Sequence, residues 1–286
     1  MGSQRQSASV RPRVASRAAE VGPDSGSELL LVSGCVRSGT TVLQQILNSH
    51  PDVGLTNELQ SCLGLGQRMT LAHLRWVMRR GLRRRNHEHV FSQDETGAFR
   101  TANVRSTLRL LGRMGRGWHR QITPAVVRDA YRAVYPEARI VGDKSPTYVF
   151  RLDQLLRDGV RCLVIYRDCR DVVVSARRAA QTFWRGMPHV RHFDTVAKIA
   201  QRWTTAVEMM ERHRGGLLAL QYEALVERPG PELKRIAHWL DIDPGGLPVE
   251  LVQRASVGRH ASELSDDDRA RIRSIAGPAM SRLGYS

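Results

Sequence analysis

The chain has 286 residues, 41% of them hydrophobic and 25% charged, which is enough for one large α/β domain or two small ones. No apolar run approaches the roughly 18 residues that a membrane-spanning helix needs, so we expect no transmembrane segment. The net charge of +16 favours anionic partners, which include phosphorylated cofactors, acidic substrates, nucleic acids and membrane surfaces.

Residues 1–27 are rich in Ser, Ala and Arg and contain no apolar block. We predict a disordered leader here, with a transit peptide as the alternative, and the absence of an apolar signal segment argues against secretion. Four cysteines form no CxxC pair and lie in no histidine cluster, so we expect neither a zinc site nor disulfides. A cytoplasmic location fits this pattern best.

The folded domain is predicted to run from residue 28 to residue 286. An apolar strand at Leu29–Val32 leads into a glycine loop at Gly34–Gly39, and a helix at Thr40–Ser49 follows. Further strands are predicted at Ala138–Val141, Arg161–Tyr166 and Leu217–Gln221, and helices at Thr123–Tyr135, after Asp168, at Thr195–His213 and at Pro231–Leu240. This alternation predicts an α/β fold with a central parallel sheet that helices cover on both faces.

Residues 60–135 differ from the rest of the domain. Apolar residues at helical spacing occur between Leu71 and Leu82, and arginines cover the remaining helix surface. We therefore predict a basic, helical insertion.

The glycine loop has the spacing of a phosphate-binding loop, with Gly34 and Gly39 five residues apart between a strand and a helix. An ATP-dependent kinase would have lysine after the second glycine, but this chain has Thr40. The cation stands inside the loop instead, at Arg37, which suits a 5′-phosphosulfate better than ATP with magnesium. An ordinary helix-capping glycine turn is the structural alternative.

The segment Arg37–Thr41, followed by His50 and Pro51, resembles the 5′-phosphosulfate loop of sulfotransferases, nearest the protein-tyrosine sulfotransferase branch and its bacterial relatives. The resemblance extends from about residue 29 to the C-terminus and is weakest at 60–135. It implies a P-loop-like three-layer fold and transfer of a sulfuryl group from 3′-phosphoadenosine-5′-phosphosulfate to a hydroxyl acceptor, without a metal. The 5′ side would be bound by Arg37, Ser38, Gly39, Thr40 and Thr41.

Arg167 follows a predicted strand, and Ser175 lies eight residues later on the next helix. They resemble the family's pair that binds the 3′-phosphate, and an arginine beside a helix N-terminus is a sound phosphate site on physical grounds. A structural cluster of arginines and aspartates that caps the helix is the alternative, and Arg170 could serve either purpose.

Glu58 lies eight residues after His50, the spacing of the catalytic glutamate in the tyrosine sulfotransferase branch. The resemblance makes Glu58 the general base, with His50 and His73 as competitors. Lys144 is one of only three lysines in the chain and resembles the family lysine that stabilises the leaving phosphate oxygen.

Two further segments resemble parts of the family's cofactor site. Tyr222 follows a predicted strand and matches a tyrosine that contacts the adenosine. The run from Ser256 to His260 corresponds loosely to a late cofactor loop, with Gly258 and Arg259 at the positions of a serine and a lysine. Ser256 could take the place of that serine.

A P-loop kinase and a basic nucleic-acid-binding protein are the alternative functions. Thr40 and the lack of a Walker-B acid disfavour the kinase, and the arginine-rich helix matches no nucleic-acid-binding motif. We therefore expect no obligatory nucleic acid, whereas a homodimer is compatible with the sequence. The acceptor could be a tyrosine in a peptide, a phenol, a sugar or a lipid alcohol, and 60–135 is predicted to bind it.

Overall fold

The computed structural model describes residues 28–67, 101, 104–105, 107–109, 112, 121–252 and 257–285. Its strands are β1 (Glu28–Gly34), β2 (Val53–Asn57), β3 (Ile140–Lys144), β4 (Arg161–Tyr166) and β5 (Leu218–Gln221). Its described helices are α1 (Thr40–Asn48), α2 (Pro124–Arg132), α3 (Leu152–Arg157), α4 (Cys169–Gln181), α5 (Val196–Arg212), α6 (Tyr222–Glu227), α7 (Pro229–Leu240), α8 (His260–Glu263) and α9 (Asp266–Arg282). Within these residues, no helix is both long and apolar enough to cross a membrane.

The five strands form one sheet in the order β2-β3-β1-β4-β5, and every neighbouring pair is parallel. The carboxyl ends of all five strands therefore meet at one edge. Strands β2 and β3 lie on one side of β1, and β4 and β5 lie on the other side. The strand order therefore reverses at β1. Ligands of such sheets bind outside the carboxyl ends of the strands, near the point where the strand order reverses.

Two apolar clusters cover the two faces of the sheet. One contains side chains from α1, α6 and α7, including Leu43, Leu225 and Ile236, packed on Leu30 and Val32 of β1. The other contains residues from α2, α4, α5 and α9, with Trp203 as its largest fully buried side chain. The three layers confirm the predicted α/β fold with a central parallel sheet.

The predicted positions need several corrections, and the short helices α3, α6 and α8 were not predicted. The third strand spans Ile140–Lys144 rather than Ala138–Val141, so Lys144 ends the strand instead of following it. Strand β2 was not predicted, because Val53–Asn57 contains glycine and asparagine and follows a proline; its pairing with β3 makes it a strand. Helix α9 was also missed, because Gly277 and Pro278 interrupt its interior, although Ser265 and the three aspartates that follow it are a helix-start signal. The helix predicted between Leu71 and Leu82 lies outside the described residues.

Candidate active site

Four strands deliver the predicted site residues to one edge of the sheet. The phosphate loop follows β1, Glu58 follows β2, Lys144 ends β3 and Arg167 follows β4. The strand order places these four strand ends side by side. Residues that are far apart in the sequence are thus brought together by the parallel topology alone.

The backbone of the phosphate loop requires glycine at two positions. Gly34 has φ 152°, and a Cβ there would lie 2.0 Å from the carbonyl oxygen of Ile165. Gly39 has φ 98°, and its Cβ would lie 2.6 Å from the ring of Tyr222. Gly39 is also the N-cap residue of α1 and has no side chain to occupy the amide groups of the first turn. The loop is therefore held in a shape that presents a helix N-terminus to the site.

Arg37 connects the phosphate loop to α4. Its Nε donates a hydrogen bond to Oγ of Ser175 at 3.0 Å, although the two residues are 138 positions apart. The guanidinium also lies 5.4 Å and 5.8 Å from the ring centroids of Phe183 and Trp184. The structure thus brings together the residue predicted for the 5′ side and the serine predicted for the 3′-phosphate.

Arg167 is buried, with 5% of its surface exposed, and its Nη2 lies 3.1 Å from Oδ2 of Asp171. Its guanidinium also lies 4.7 Å from the ring centroid of Tyr222. Arg170, in contrast, forms an ion pair at 2.7 Å with Asp168, and the Asp168 carboxylate caps α4. The helix-capping alternative therefore describes Arg170 and Asp168.

The loop after β1 and the segment after β4 together have the properties of an anion site. Partial burial, followed by the positive charge of Arg167, lowers the pKa of the Arg37 guanidinium. Ser38 is fully buried, and its hydroxyl has no hydrogen-bond partner among the described residues. Two neighbouring cations and a buried hydroxyl at a helix N-terminus would be stabilised by a bound anion. The residues present thus fit a ligand that carries two phosphates close together.

Glu58 and Lys144 form an ion pair at the ends of β2 and β3. The Nζ of Lys144 lies 3.4 Å from Oε1 of Glu58, and the Glu58 amide donates to the Lys144 carbonyl at 2.7 Å. The lysine side chain is 2% exposed and the glutamate side chain 28%. The carboxylate is therefore more accessible to an incoming molecule than the ammonium is.

Of the two histidine competitors, the structure describes only His50, which is not placed beside Glu58. His50 lies before β2, at the opposite end of that strand from Glu58. Its ring is buried against Gly246, and its Nδ1 accepts a hydrogen bond from the amide of Asp52. His73 lies outside the described residues.

Asp171, which sequence reasoning missed, joins the Arg167 site to the late loop. Besides contacting Arg167, its carboxylate accepts the amides of Gly258 at 2.8 Å and His260 at 3.1 Å. Burial alone would raise the pKa of the Asp171 carboxyl, but these hydrogen bonds, the His260 ring and the charge of Arg167 hold it below its ordinary value. The sequence did contain a signal for this ion pair, because Asp171 lies four residues after Arg167 at the start of α4.

The remaining predicted positions differ in their surroundings. Tyr222 is buried, and its ring packs against Gly39 beneath the guanidinium of Arg167. Arg259 is partly buried in the turn that contains Gly258. Thr40 is buried at the start of α1 and Thr41 partly so, whereas Ser256 lies outside the described residues.

A parallel sheet with a glycine loop after β1 and a second basic segment after β4 is the architecture of a P-loop-like protein. Comparison with known proteins narrows this class. The model of the sulfotransferase family matches residues 30–244. The chain belongs to the sulfotransferase family, as the resemblance of its motifs predicted, and this disfavours the kinase and nucleic-acid alternatives.

Individual relatives are distant. A Caenorhabditis briggsae protein named "Putative protein-tyrosine sulfotransferase" is 24% identical over 222 residues, which are 75% of this chain and 66% of that protein. The structure of sulfotransferase STF9 from Mycobacterium avium matches with a TM-score of 0.50 and 13% identity, over 92% of this chain and 78% of that one. A sulfotransferase from Alicyclobacillus acidocaldarius matches with a TM-score of 0.50 and 16% identity, over 91% and 95%. At these identities the two structures support the fold.

Proposed function

We propose that this protein transfers a sulfuryl group from 3′-phosphoadenosine-5′-phosphosulfate to a hydroxyl group of an acceptor. The observation that carries the proposal is the hydrogen bond between Arg37 and Ser175. It brings the loop after β1 and the helix after β4 together, and Arg167 adds a second cation there. A nucleotide with phosphates on both the 3′ and the 5′ position of one ribose needs two such sites a short distance apart.

In this proposal the binding residues divide between the two ends of the nucleotide. The 5′-phosphosulfate is bound by Arg37, the buried Ser38 and the amides of Gly39, Thr40 and Thr41 at the start of α1. The 3′-phosphate is bound by Arg167 and Ser175. Tyr222 lies beside Arg167 and would contact the adenosine. From the late loop, Gly258 and Arg259 would contribute to the 3′ side, where Asp171 accepts the amides of Gly258 and His260. Ser256 is a further predicted cofactor contact of this loop.

The transfer itself is a direct in-line displacement. The acceptor oxygen forms a bond to sulfur, the bond from sulfur to the bridging phosphate oxygen breaks, and its electron pair stays on the phosphate. Glu58 takes the proton of the acceptor hydroxyl, and the ammonium of Lys144 stabilises the negative charge on the leaving oxygen. Their 3.4 Å contact supports the proposal that the two groups act on the same reaction. Positioning and electrostatics then supply the catalysis, and no step requires a metal ion.

The test is turnover with a donor labelled in the sulfuryl group. Purified protein is incubated with labelled 3′-phosphoadenosine-5′-phosphosulfate and with separate pools of phenols, tyrosine peptides, sugars and lipid alcohols. We expect labelled product in one pool and stoichiometric release of adenosine 3′,5′-bisphosphate. The control is Lys144→Met, which should make no product. Absence of label transfer in every pool, together with absence of bisphosphate binding, would overturn the proposal.

A further inference from the structure

The turn that carries Glu58 has an unusual backbone. Glu58 has φ 53° and Gln60 has φ 61°, so two residues with side chains adopt the left-handed region within three positions. Such conformations persist in residues other than glycine only where the surrounding contacts over-determine them. The contacts that hold this turn therefore also decide where the Glu58 carboxylate points.

Asp143 provides the central contact. Its side chain is fully buried, and its Oδ1 accepts the amide of Leu59 at 3.1 Å while its Oδ2 accepts the amide of Gln60 at 2.8 Å. Oδ1 also accepts the hydroxyl of Thr56, and Oδ2 that of Tyr148, each at 2.7 Å. Burial raises the pKa of this carboxyl, and the four hydrogen bonds oppose the rise. The Asp143 carboxylate thus binds the two consecutive backbone amides that directly follow Glu58.

Further bonds tie the same turn to the end of β3. The Glu58 amide donates to the carbonyl of Lys144, and Asn57 pairs with Lys144 in the sheet. The side-chain amide of Gln60 donates to Oγ of Ser145 at 2.8 Å and to Oγ1 of Thr147 at 2.7 Å. The end of β3 therefore holds the turn on both sides of Glu58.

We infer that Asp143 is a positioning residue, which fixes the backbone of the Glu58 turn so that the Glu58 carboxylate faces the ammonium of Lys144. Asp143 and Lys144 are consecutive residues at the end of β3. This strand end therefore supplies the Lys144 ammonium and, through Asp143, holds the turn that carries the Glu58 carboxylate. The role of Glu58 as base rests on the proposed function. The contacts by which Asp143 fixes the turn can be tested whether or not the proposed function is correct.

The decisive variant is Asp143→Asn, which keeps the shape of the side chain but replaces one oxygen by an NH₂ group. In either orientation that NH₂ group faces one backbone amide and one hydroxyl, so one backbone bond is lost. We expect kcat to fall about 10²-fold, the size of loss that a misplacement of about 1 Å can cause. The Kd for adenosine 3′,5′-bisphosphate should stay within about twofold, because that site is formed by other residues.

Tyr148→Phe is the matched control. It removes one hydrogen bond to the same carboxylate but leaves both backbone bonds in place. We expect kcat within about threefold of wild type, even though the variant loses a buried hydrogen bond. Equal losses of kcat in Asp143→Asn and Tyr148→Phe would mean that the carboxylate acts on overall stability only, and would overturn the inference.

The double variant Asp143→Asn with Glu58→Gln separates positioning from a general effect. If Asp143 acts through Glu58, the double variant should be no slower than Glu58→Gln alone. Losses of kcat that multiply would contradict the inference.

Hydrogen exchange at the amides of Leu59 and Gln60 provides a readout that needs no activity. In the wild-type protein both amides should be as well protected as those of β3, and in Asp143→Asn they should exchange faster, but not in Tyr148→Phe. Rapid exchange in the wild type, or unchanged exchange in Asp143→Asn, would overturn the inference. If the wild type instead shows this protection and transfers no sulfuryl group, the proposed function fails and the role of Asp143 in the turn stands.

Discussion

Replacing Glu58 by glutamine should separate catalysis from folding. Glutamine is nearly isosteric and keeps an oxygen that can accept the Lys144 ammonium, which now lies 3.4 Å from the carboxylate. Because the Lys144 ammonium is buried and glutamine keeps an oxygen that can accept it, we expect a stability loss of about 1–2 kcal/mol. Loss of a general base commonly costs about 10²–10⁴ in rate, or roughly 3–5 kcal/mol of barrier. The rate should therefore fall far more than the stability.

The assay compares kcat for acceptors of different acidity. The rate loss in Glu58→Gln should be smaller for acidic phenols than for sugar alcohols, because phenols need less help to lose a proton. Glu227→Gln makes the same chemical change at an exposed position on α6 and should behave as wild type. Near-normal turnover of Glu58→Gln on every acceptor would refute the assignment of the base and leave the family assignment intact.

Three further outcomes follow from the contacts of the site. Arg167→Ala should weaken binding of adenosine 3′,5′-bisphosphate by roughly 1.5–3 kcal/mol in calorimetry and change kcat little, because a phosphate contact acts equally in the ground state and the transition state. Asp171 has a pKa below its unfolded value, so its stabilisation is present above that unfolded value and is lost as pH falls through the folded value. The melting temperature of the wild type should therefore fall as the pH is lowered through this range, and the fall should be smaller in Asp171→Asn. Gly39→Ala places a Cβ against the Tyr222 ring and should lower both the melting temperature and bisphosphate affinity, whereas Gly215→Ala, with nothing within 4 Å of the added Cβ, should do neither.

The sequence predicted those parts of the site that consist of local motifs. The glycine loop, the strand before Arg167 and the helix that carries Ser175 each follow from a short pattern of apolar residues, glycines and caps. The parallel sheet followed from the alternation of strands and helices. The comparisons confirm the family that these motifs indicated.

Contacts between distant segments could not be predicted from the sequence. The strand β2 exists because Val53–Asn57 pairs with β3, and a glycine and an asparagine hide it from local propensity. Asp143 lies inside a motif that drew attention to Lys144, and its bonds to the Glu58 turn depend on the register of β2 against β3. Asp171 likewise acquires its partners from the late loop, which is distant in the chain.

The central claim is that Arg37, Arg167 and Ser175 form one site for the two phosphates of a single nucleotide. Calorimetry with adenosine 3′,5′-bisphosphate, adenosine 5′-phosphate and ATP with magnesium tests it most directly. We expect the bisphosphate to bind more tightly than either of the others, and Arg167→Ala to remove most of its advantage over adenosine 5′-phosphate. Tighter binding of ATP that depends on magnesium, or equal affinity for the bisphosphate and the monophosphate, would contradict the account.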